Sequence, residues 1–582
     1  MEGKHAAGPD PDETVVMQAV DPDATVLLPA FQPTAATVPG PPPAAEDSTA
    51  SVTRNSAVMA VGSLVSRLTG FVRTVAIGAA IGAKAFSDDY TLANTLPNMV
   101  YELLLGGVLA SVVVPLLVRA RTRDTDRGEA YTQRLLSLAT VFLAGATVLA
   151  VLLAPLLTEL VAGSSSAANK HLTTALGYLL LPEIFFYGIA ALLAAILNTR
   201  GHFAAPMWTP ILNNIVVIAT AGAFILIWSD ARELTPEQVT AGQILVLGVG
   251  TTLGIVVQAA GLVPALRRVG FRWRWRWDWR ELRVRELGRV GSWMLVYVAV
   301  SQVALLVVLR LAKMAADRGG PGPMIFNNAY LIFMMAHGIV AVSIITALLP
   351  RMSAFAAEHR YRDVAAQLSL GTRLSAVILV PATAVYILLG RQLGVALFQF
   401  RSYGHADSVA TGWVIAAAGI GLVPFAISQL QIFAFYALPD TKTPALLNIP
   451  VAVLRILLDV LLYVLLAAGA VAAGLMIGNA VSFLASCAIG YWLLRRRLGP
   501  LGLREVAKTL GRLGVAVVIA AVPTFLITLL LTHVLGLGKL ASVVELVVGG
   551  VMLVIVYLAA GVSLRIREVN DVWGMVRGRL RR

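Results

Sequence analysis

The chain contains a single cysteine, Cys487, among 582 residues. One thiol excludes an intrachain disulfide framework and any metal site built on cysteines. Charge is also scarce. Asp, Glu, Lys and Arg make up 13% of the residues, where a soluble globular domain carries about 25%. No Gly-rich phosphate loop of the Walker type occurs, and no catalytic triad or metal-ligating cluster stands out, so an ATP-driven pump and a hydrolase are both disfavoured. No cofactor is expected, and a coupling cation is left open. No cleavable signal peptide is expected, because the first residues are acidic and lack a basic n-region. The charge that is present is unbalanced, 46 Lys and Arg against 32 Asp and Glu. This excess need not mean nucleic acid, because membrane proteins collect Lys and Arg in cytoplasmic loops.

Apolar sequence fills the space left by charge. Hydrophobic residues are 58% of the chain and mean hydropathy is +0.79. Fourteen apolar segments predict helices at about 57–82, 88–118, 132–160, 172–197, 207–228, 242–266, 288–312, 324–349, 366–389, 408–436, 443–467, 470–493, 510–532 and 541–563. A spanning helix needs about 20 apolar residues, so the fold class is an all-α polytopic membrane protein. The exits of even-numbered segments carry arginine clusters, from Arg119, Arg121 and Arg123 to Arg495, Arg496 and Arg497, whereas odd exits hold isolated Lys84, Lys170, Arg232 and Lys539. The positive-inside rule then places both termini in the cytoplasm, and the expected location is a bacterial plasma membrane.

Two stretches depart from this pattern. Residues 1–54 are read as a disordered acidic tail, with eight acidic residues against one lysine in the first 50. A tandem there places Thr14 before Met17 and Thr25 before Leu28, each after acidic residues. The tandem reads either as low-complexity filler or as two phosphorylation sites for a Ser/Thr kinase, recognised by a forkhead-associated domain protein. The second stretch, Phe271-Arg-Trp-Arg-Trp-Arg-Trp-Asp-Trp-Arg280, alternates aromatic and basic residues as an extended strand does. In a loop between spanning helices it reads as an interfacial belt whose arginines pair with anionic membrane lipids.

The chain also repeats at an offset of about 235 residues. Val65-Ser66-Arg67 matches Val300-Ser301-Gln302, Pro115 matches Pro350, and Pro210…Asn214 matches Pro444…Asn448. An offset of six helices preserves orientation, giving two parallel lobes related by an axis along the membrane normal, a transporter architecture. The expected domains are the tail 1–54, an N-lobe 55–285, a C-lobe 286–500, and residues 501–582 with the last two helices and a basic C-terminus.

Charges inside the spans are the candidate site. A guanidinium is costly in hydrocarbon and rarely faces lipid. Arg67 lies about ten residues into the first segment, roughly 15 Å deep, and Arg73 follows six residues later. Both are candidates to line a cavity, with Glu102 in the second segment as partner or proton site. Arg455 and Asp459 are four residues apart and are expected to pair on one helix face, as a coupling or a structural pair. Arg310 and Lys313 are expected to snorkel to the interface. Asp88 and Asp89 are expected to cap the second helix, and His337 is a candidate titrating group.

Ser66-Arg67-Leu-Thr-Gly70-Phe71-Val-Arg73 resembles the first-helix signature of the MurJ/MviN lipid II flippase family. The resemblance continues at Leu96-Pro97-Asn98, Val114-Pro115, Ile196-Leu197-Asn198-Thr199…Phe203…Pro206…Pro210…Leu212-Asn213-Asn214, Leu348-Leu349-Pro350 and Phe435-Tyr436…Asp440-Thr-Lys442-Thr443-Pro444. It covers about 55–565 and is closest to actinobacterial members. It implies a two-lobed exporter that moves undecaprenyl-linked peptidoglycan precursor to the outer leaflet, with the last two helices holding the lipid tail in a groove. It also implies that Arg67, Arg73 and Asp88 line the central cavity, with Glu102, Asn213 and Asn214 as further substrate candidates. Many members carry arginines where this chain has Tyr101-Glu102 and Tyr330-Leu331, which implies a less cationic cavity. Other readings are an exporter of another polyprenyl-linked glycan or a drug-like solute, and a membrane scaffold that recruits wall-synthesis proteins through its tail.

Overall fold

A computed structural model describes residues 47–106, 113–163, 165–228, 234–278 and 284–570. Thr14 and Thr25 lie outside the described residues. The first half holds α1 (Asp47–Ile81), α2 (Ala85–Tyr101), a π-turn (Glu102–Gly106), α3 (Val114–Arg123), α4 (Glu129–Leu152), α5 (Ala154–Ala162), α6 (Ala167–Leu180), α7 (Glu183–Thr199), α8 (Ala204–Ile227) and α9 (Ala241–Arg268). The second half holds α10 (Val284–Ala316), α11 (Pro323–Ala357), α12 (Tyr361–Phe398), α13 (His405–Ile420), α14 (Leu422–Ala437), α15 (Lys442–Leu465) and α16 (Ala468–Leu498), followed by α17 (Leu503–Leu535) and α18 (Lys539–Ser563). The first helix starts at Asp47, inside the stretch expected to be unstructured up to residue 54. No proline interrupts the sequence between Pro43 and Pro97, so nothing there stops a helix.

The expected count of fourteen spans is not confirmed. Among the described residues twelve helices are long and apolar enough to cross a membrane, or thirteen with α13 and α14 taken as one span bent by 47°. The remaining expected segment is interrupted. It comprises α2, with Asp88, Asp89 and an internal Pro97, then the π-turn, then α3 beyond the undescribed residues 107–112. Other expected helices break next to proline. The α4–α5 break at Leu153 precedes Pro155, and Pro182 caps the second half of the fourth segment. Proline removes a donor and crowds the preceding turn, so a break there is expected.

The two halves share one pairing scheme. In the first, α1 packs on α8, α8 on α9, α7 on α9 and α4 on α7. In the second, α10 packs on α15, α15 on α16, α14 on α16 and α12 on α14. One hydrogen-bonding device recurs at the repeat offset. Asn214 Nδ2 on α8 donates to the Ser66 carbonyl (3.2 Å) and Thr69 Oγ1 (2.9 Å) on α1. Asn448 Nδ2 on α15 donates to the Tyr297 carbonyl (3.0 Å) and Ser301 Oγ (2.9 Å) on α10. Each amide satisfies its donors on a helix whose own Ser or Thr supplies the acceptor. This is how apolar helices gain a fixed register where lipid gives no hydrophobic drive.

The last two helices pack against α12 around Ala376, Leu513, Ala516 and Leu553. Their outer faces are apolar and exposed, including Val518, Leu526, Val551 and Ile555. The inner face carries a charge that their apolar character obscures. Glu545 is fully buried, accepts from Gln392 Nε2 (2.8 Å) and Thr532 Oγ1 (3.0 Å), and lies 3.2 Å from Arg391. A buried carboxylate must be paired, so α18 is tied to α12 as well as facing lipid.

Candidate functional site

The candidate site is the seam between the lobes. Along α1, which runs unbroken through Gly70, Arg73 faces a cavity of about 200 Å³ between α1, α2, α7, α8, α9 and α11. Its polar lining includes Asn94, Thr95, Asn213, Asn327 and Asn328. Amides and hydroxyls with one guanidinium suit a ligand that is polar and anionic rather than a lipophilic cation. Glu183 at the start of α7 is 1% exposed, accepts from Thr252 Oγ1 at 3.4 Å, and lies within electrostatic range of Arg73. The acid within electrostatic range of Arg73 is Glu183, and Glu102 sits in the π-turn that follows α2. Glu183 was missed because Pro182-Glu183 opens an otherwise apolar helix. The rule that an intramembrane carboxylate is a site by default would have flagged it.

Arg67 lies six residues before Arg73 on α1, about one and two-thirds turns, and crosses to the other lobe. Its guanidinium packs so closely on Gly338 of α11 that a Cβ there would overlap it. It also acts electrostatically on the neighbouring His337, whose ring lies 4.3 Å from that of Phe425. Arg67 and His337, far apart in sequence, thus meet in the structure. Asn213 lines the cavity, while Asn214 is spent on the tie to α1. Arg455 Nε and Asp459 Oδ2 pair at 3.6 Å on α15, with the acid fully buried against Gly478 of α16. Arg455 lies within electrostatic range of Tyr330.

At the end opposite the arginine-rich loops, contacts between the lobes close the seam. Asp88 does not cap its own helix. The α2 N-cap is Lys84, and Asp88 Oδ1 instead accepts the Met324 N–H (2.9 Å) at the first turn of α11. Its carboxylate occupies space that any side chain at Gly322 would need. An anion at a helix N-terminus satisfies an orphan donor and the dipole together. Asp89 pairs with Lys313 Nζ at 2.7 Å, with side-chain exposures of 0% and 1%. The expectation that Lys313 snorkels outward is overturned, because a buried acid from the other lobe holds it inside. Arg310, by contrast, is exposed. Asp317 accepts from Ser165 Oγ (2.9 Å), and the Ser402 N–H reaches the Ala79 carbonyl (3.4 Å). Gly82, at φ +76°, leaves room for the Ser402 carbonyl.

Two lobes with one helix-pairing scheme around a polar cavity, shut at one end by contacts between them, define a two-lobed membrane transporter. A family model described as lipid II flippase MurJ matches residues 77–549, and the chain belongs to that family. It is 24% identical over 531 residues to a probable lipid II flippase MurJ of Synechocystis sp., covering 90% of this chain and 96% of that one. It is 26% identical over 408 residues to the lipid II flippase MurJ of Burkholderia cenocepacia, covering 67% and 74%. The fold is similar to that of a lipid II flippase MurJ solved in an inward closed conformation, with TM-score 0.67, 16% identity, and coverage of 87% and 99%. It is also similar to an inward-facing multidrug resistance MATE family transporter of the MOP superfamily, with TM-score 0.61, 15% identity, and coverage of 74% and 94%.

Proposed function

We propose that this chain carries lipid II from the cytoplasmic to the outer leaflet of a bacterial plasma membrane by alternating access, with both termini cytoplasmic. The observation that carries the reading is Arg73 in a polar cavity at the lobe seam. Family membership supports the substrate, and the arginine-rich loops at a single end support the orientation. The closed end then faces outward, and the structure represents the state before export. Arg73 and Arg67 bind the diphosphate, for which a guanidinium offers paired charge-assisted donors. Asn94, Asn213, Asn327 and Asn328 offer amide partners to the sugars and peptide. Glu183 balances Arg73 when the cavity is empty, so the unloaded carrier does not return with a bare buried cation. Opening outward requires the lobes to rock apart, which breaks the Asp88–Met324 and Asp89–Lys313 contacts. No covalent bond is made or broken in this cycle.

An inside-negative potential favours export of an anionic head group. For a diphosphate carrying about −2 that crosses the whole field without counter-ions, the term is roughly 4–5 kcal/mol per 100 mV. The test is transport of lipid II in proteoliposomes, read by accessibility of the head group to a membrane-impermeant reagent, with and without an imposed potential. Transport of lipid II that rises with the potential is expected. Absence of lipid II transport at any potential would reject the assignment, and transport indifferent to potential would reject the charge movement.

A further inference from the structure

We infer that the extended stretch 271–278 is a binding surface for anionic phospholipid headgroups, carried on the N-lobe. This inference is independent of the transported substrate. The chain leaves α9 through Gly270, at φ +77°, and Phe271 is buried beneath the guanidinium of Arg200, 4.9 Å from the ring centroid. The following residues lie along the first turns of α4 and are fixed there by their backbone and side chains. Gln133 Nε2 donates to the Arg272 carbonyl (2.8 Å), and the Arg276 N–H donates to Ser137 Oγ (3.2 Å). Arg276 Nε donates to Gln133 Oε1 (2.9 Å), and Arg134 Nε donates to Asp278 Oδ2 (2.6 Å).

This anchoring holds three indoles in a row. Trp273, Trp275 and Trp277 share one face of the strand, with centroids 5.9 and 6.3 Å apart and the second pair only 5° from parallel. All three are about half exposed, at 49%, 55% and 51%. Their depth identifies what covers them. Gln133 and Ser137 are four and eight residues into α4, or about 6–12 Å along its axis, just inside an arginine-rich loop. That is the boundary between headgroups and acyl chains, where an indole places its ring in the apolar layer and its N–H in the polar one; the Trp273 N–H instead donates to Ser137 Oγ (3.4 Å). Arg272 and Arg274 alternate with the rings, are exposed, and have no ion-pair partner among the described residues. The stretch therefore offers apolar rings on one face at the acyl boundary and guanidiniums on the opposite face at phosphate level, which is complementary to an anionic phospholipid. A nucleic acid has no access to rings held at this depth.

The full-length protein is reconstituted in vesicles of phosphatidylcholine with roughly 30% phosphatidylglycerol as the anionic lipid, brominated on one lipid or the other. The chain has ten tryptophans, so the ladder's emission is isolated as the difference between wild type and W273F/W275F/W277F. Brominated phosphatidylglycerol is expected to quench that difference signal more than brominated phosphatidylcholine at equal mole fraction. R272Q/R274Q should reduce the preference by roughly fivefold per arginine, while R272K/R274K retains it. If the triple variant fails to insert, W275F alone supplies the difference signal. Equal quenching by the two lipids, no quenching by either, or a preference that survives R272Q/R274Q would overturn the inference.

Discussion

The two lobes share a plan of helix pairing and differ in where they put charge. In the N-lobe the arginines of α1 face outward from their own lobe, Arg73 into the cavity and Arg67 against Gly338 of the other lobe. In the C-lobe the position equivalent to Arg67 is Gln302, Arg455 and Asp459 pair within the lobe, and Lys313 is held by Asp89 across the seam. The Asn214 and Asn448 ties are nearly superposable in chemistry. A duplicated scaffold thus keeps the bonds that set helix register, while the arginines of α1 have no counterpart at the matched position of α10. An unpaired charge is tolerated only where a ligand or water meets it.

The sharpest way to break this contrast is to neutralise each side. Arg73→Ala and Arg67→Ala are expected to abolish complementation of a strain depleted of the native protein, with normal membrane insertion. Losing charge-assisted bonds of about 1.5–3 kcal/mol each costs roughly 10–100-fold in diphosphate binding. Arg73→Lys should be impaired too, because a point charge replaces a planar fork. Gln302→Ala should complement. Equal failure of Gln302→Ala would show that the lobes contribute alike.

The second test addresses the contacts that close the seam. Lys313→Met leaves Asp89 buried without its cation, a loss of about 3–5 kcal/mol for a broken buried pair. Part of that loss is relieved by opening. In a Cys487→Ser background, a cysteine placed at Thr91 beside Met324 is expected to react faster with an impermeant thiol reagent when Lys313→Met is present. The double change Asp89→Leu/Lys313→Met should return the rate toward wild type. Unchanged reactivity in the single variant would remove this pair from the gate.

Sequence reasoning reached the helical class, the repeat and the arginines because these depend on hydropathy and spacing. It did not reach the partners. Nothing in Asp88-Asp89 says that one carboxylate caps α11 and the other holds Lys313, since both partners lie more than 220 residues away. The local reading, a cap for α2, used the nearest free donors and was overtaken by a tertiary one. Glu102 was named as partner or proton site for the arginines because it is an acid in the second segment, while Glu183, on another helix, lies within electrostatic range of Arg73. The pair Arg455–Asp459 was legible because four-residue spacing puts both groups on one helix face. The break between α13 and α14 was not, because periodicity continues through Gly421 and only the bend reveals it.

A smaller effect is expected at the paired asparagines. Asn214→Ala and Asn448→Ala each remove two hydrogen bonds, worth about 0.5–1.5 kcal/mol apiece. Thermal unfolding in detergent should show similar downward shifts for the two variants. If only one of them shifts, the two lobes do not depend on this tie equally.

The smallest expected effect lies at the corners that precede α8 and α15. In the N-lobe corner, Arg200 stacks on Phe271 and donates to the Val269 carbonyl (3.3 Å), and Glu129 acts on it only at electrostatic range, with no ion pair among the described residues. In the C-lobe corner, Asp440 accepts from the Thr443 N–H (2.9 Å) and Thr443 Oγ1 (2.5 Å) and pairs with Arg497 (2.5 Å). Partial burial of the Asp440 carboxyl pushes its pKa up, but the Thr443 bonds and the Arg497 charge outweigh it and leave it below the ordinary value. A lowered folded pKa means that the ionised form stabilises the fold. That contribution is complete above the unfolded value near pH 4 and is lost as pH falls through the lowered one. The Arg497 side of the pair is half-exposed and screened, so the effect is at most about 1 kcal/mol. Hydrogen exchange at 438–445 is therefore expected to rise between pH 4 and pH 3, relative to the intrinsic rate, while 199–206 stays level. Asp440→Asn should abolish the rise, and acid sensitivity of both corners alike would remove this difference between the lobes.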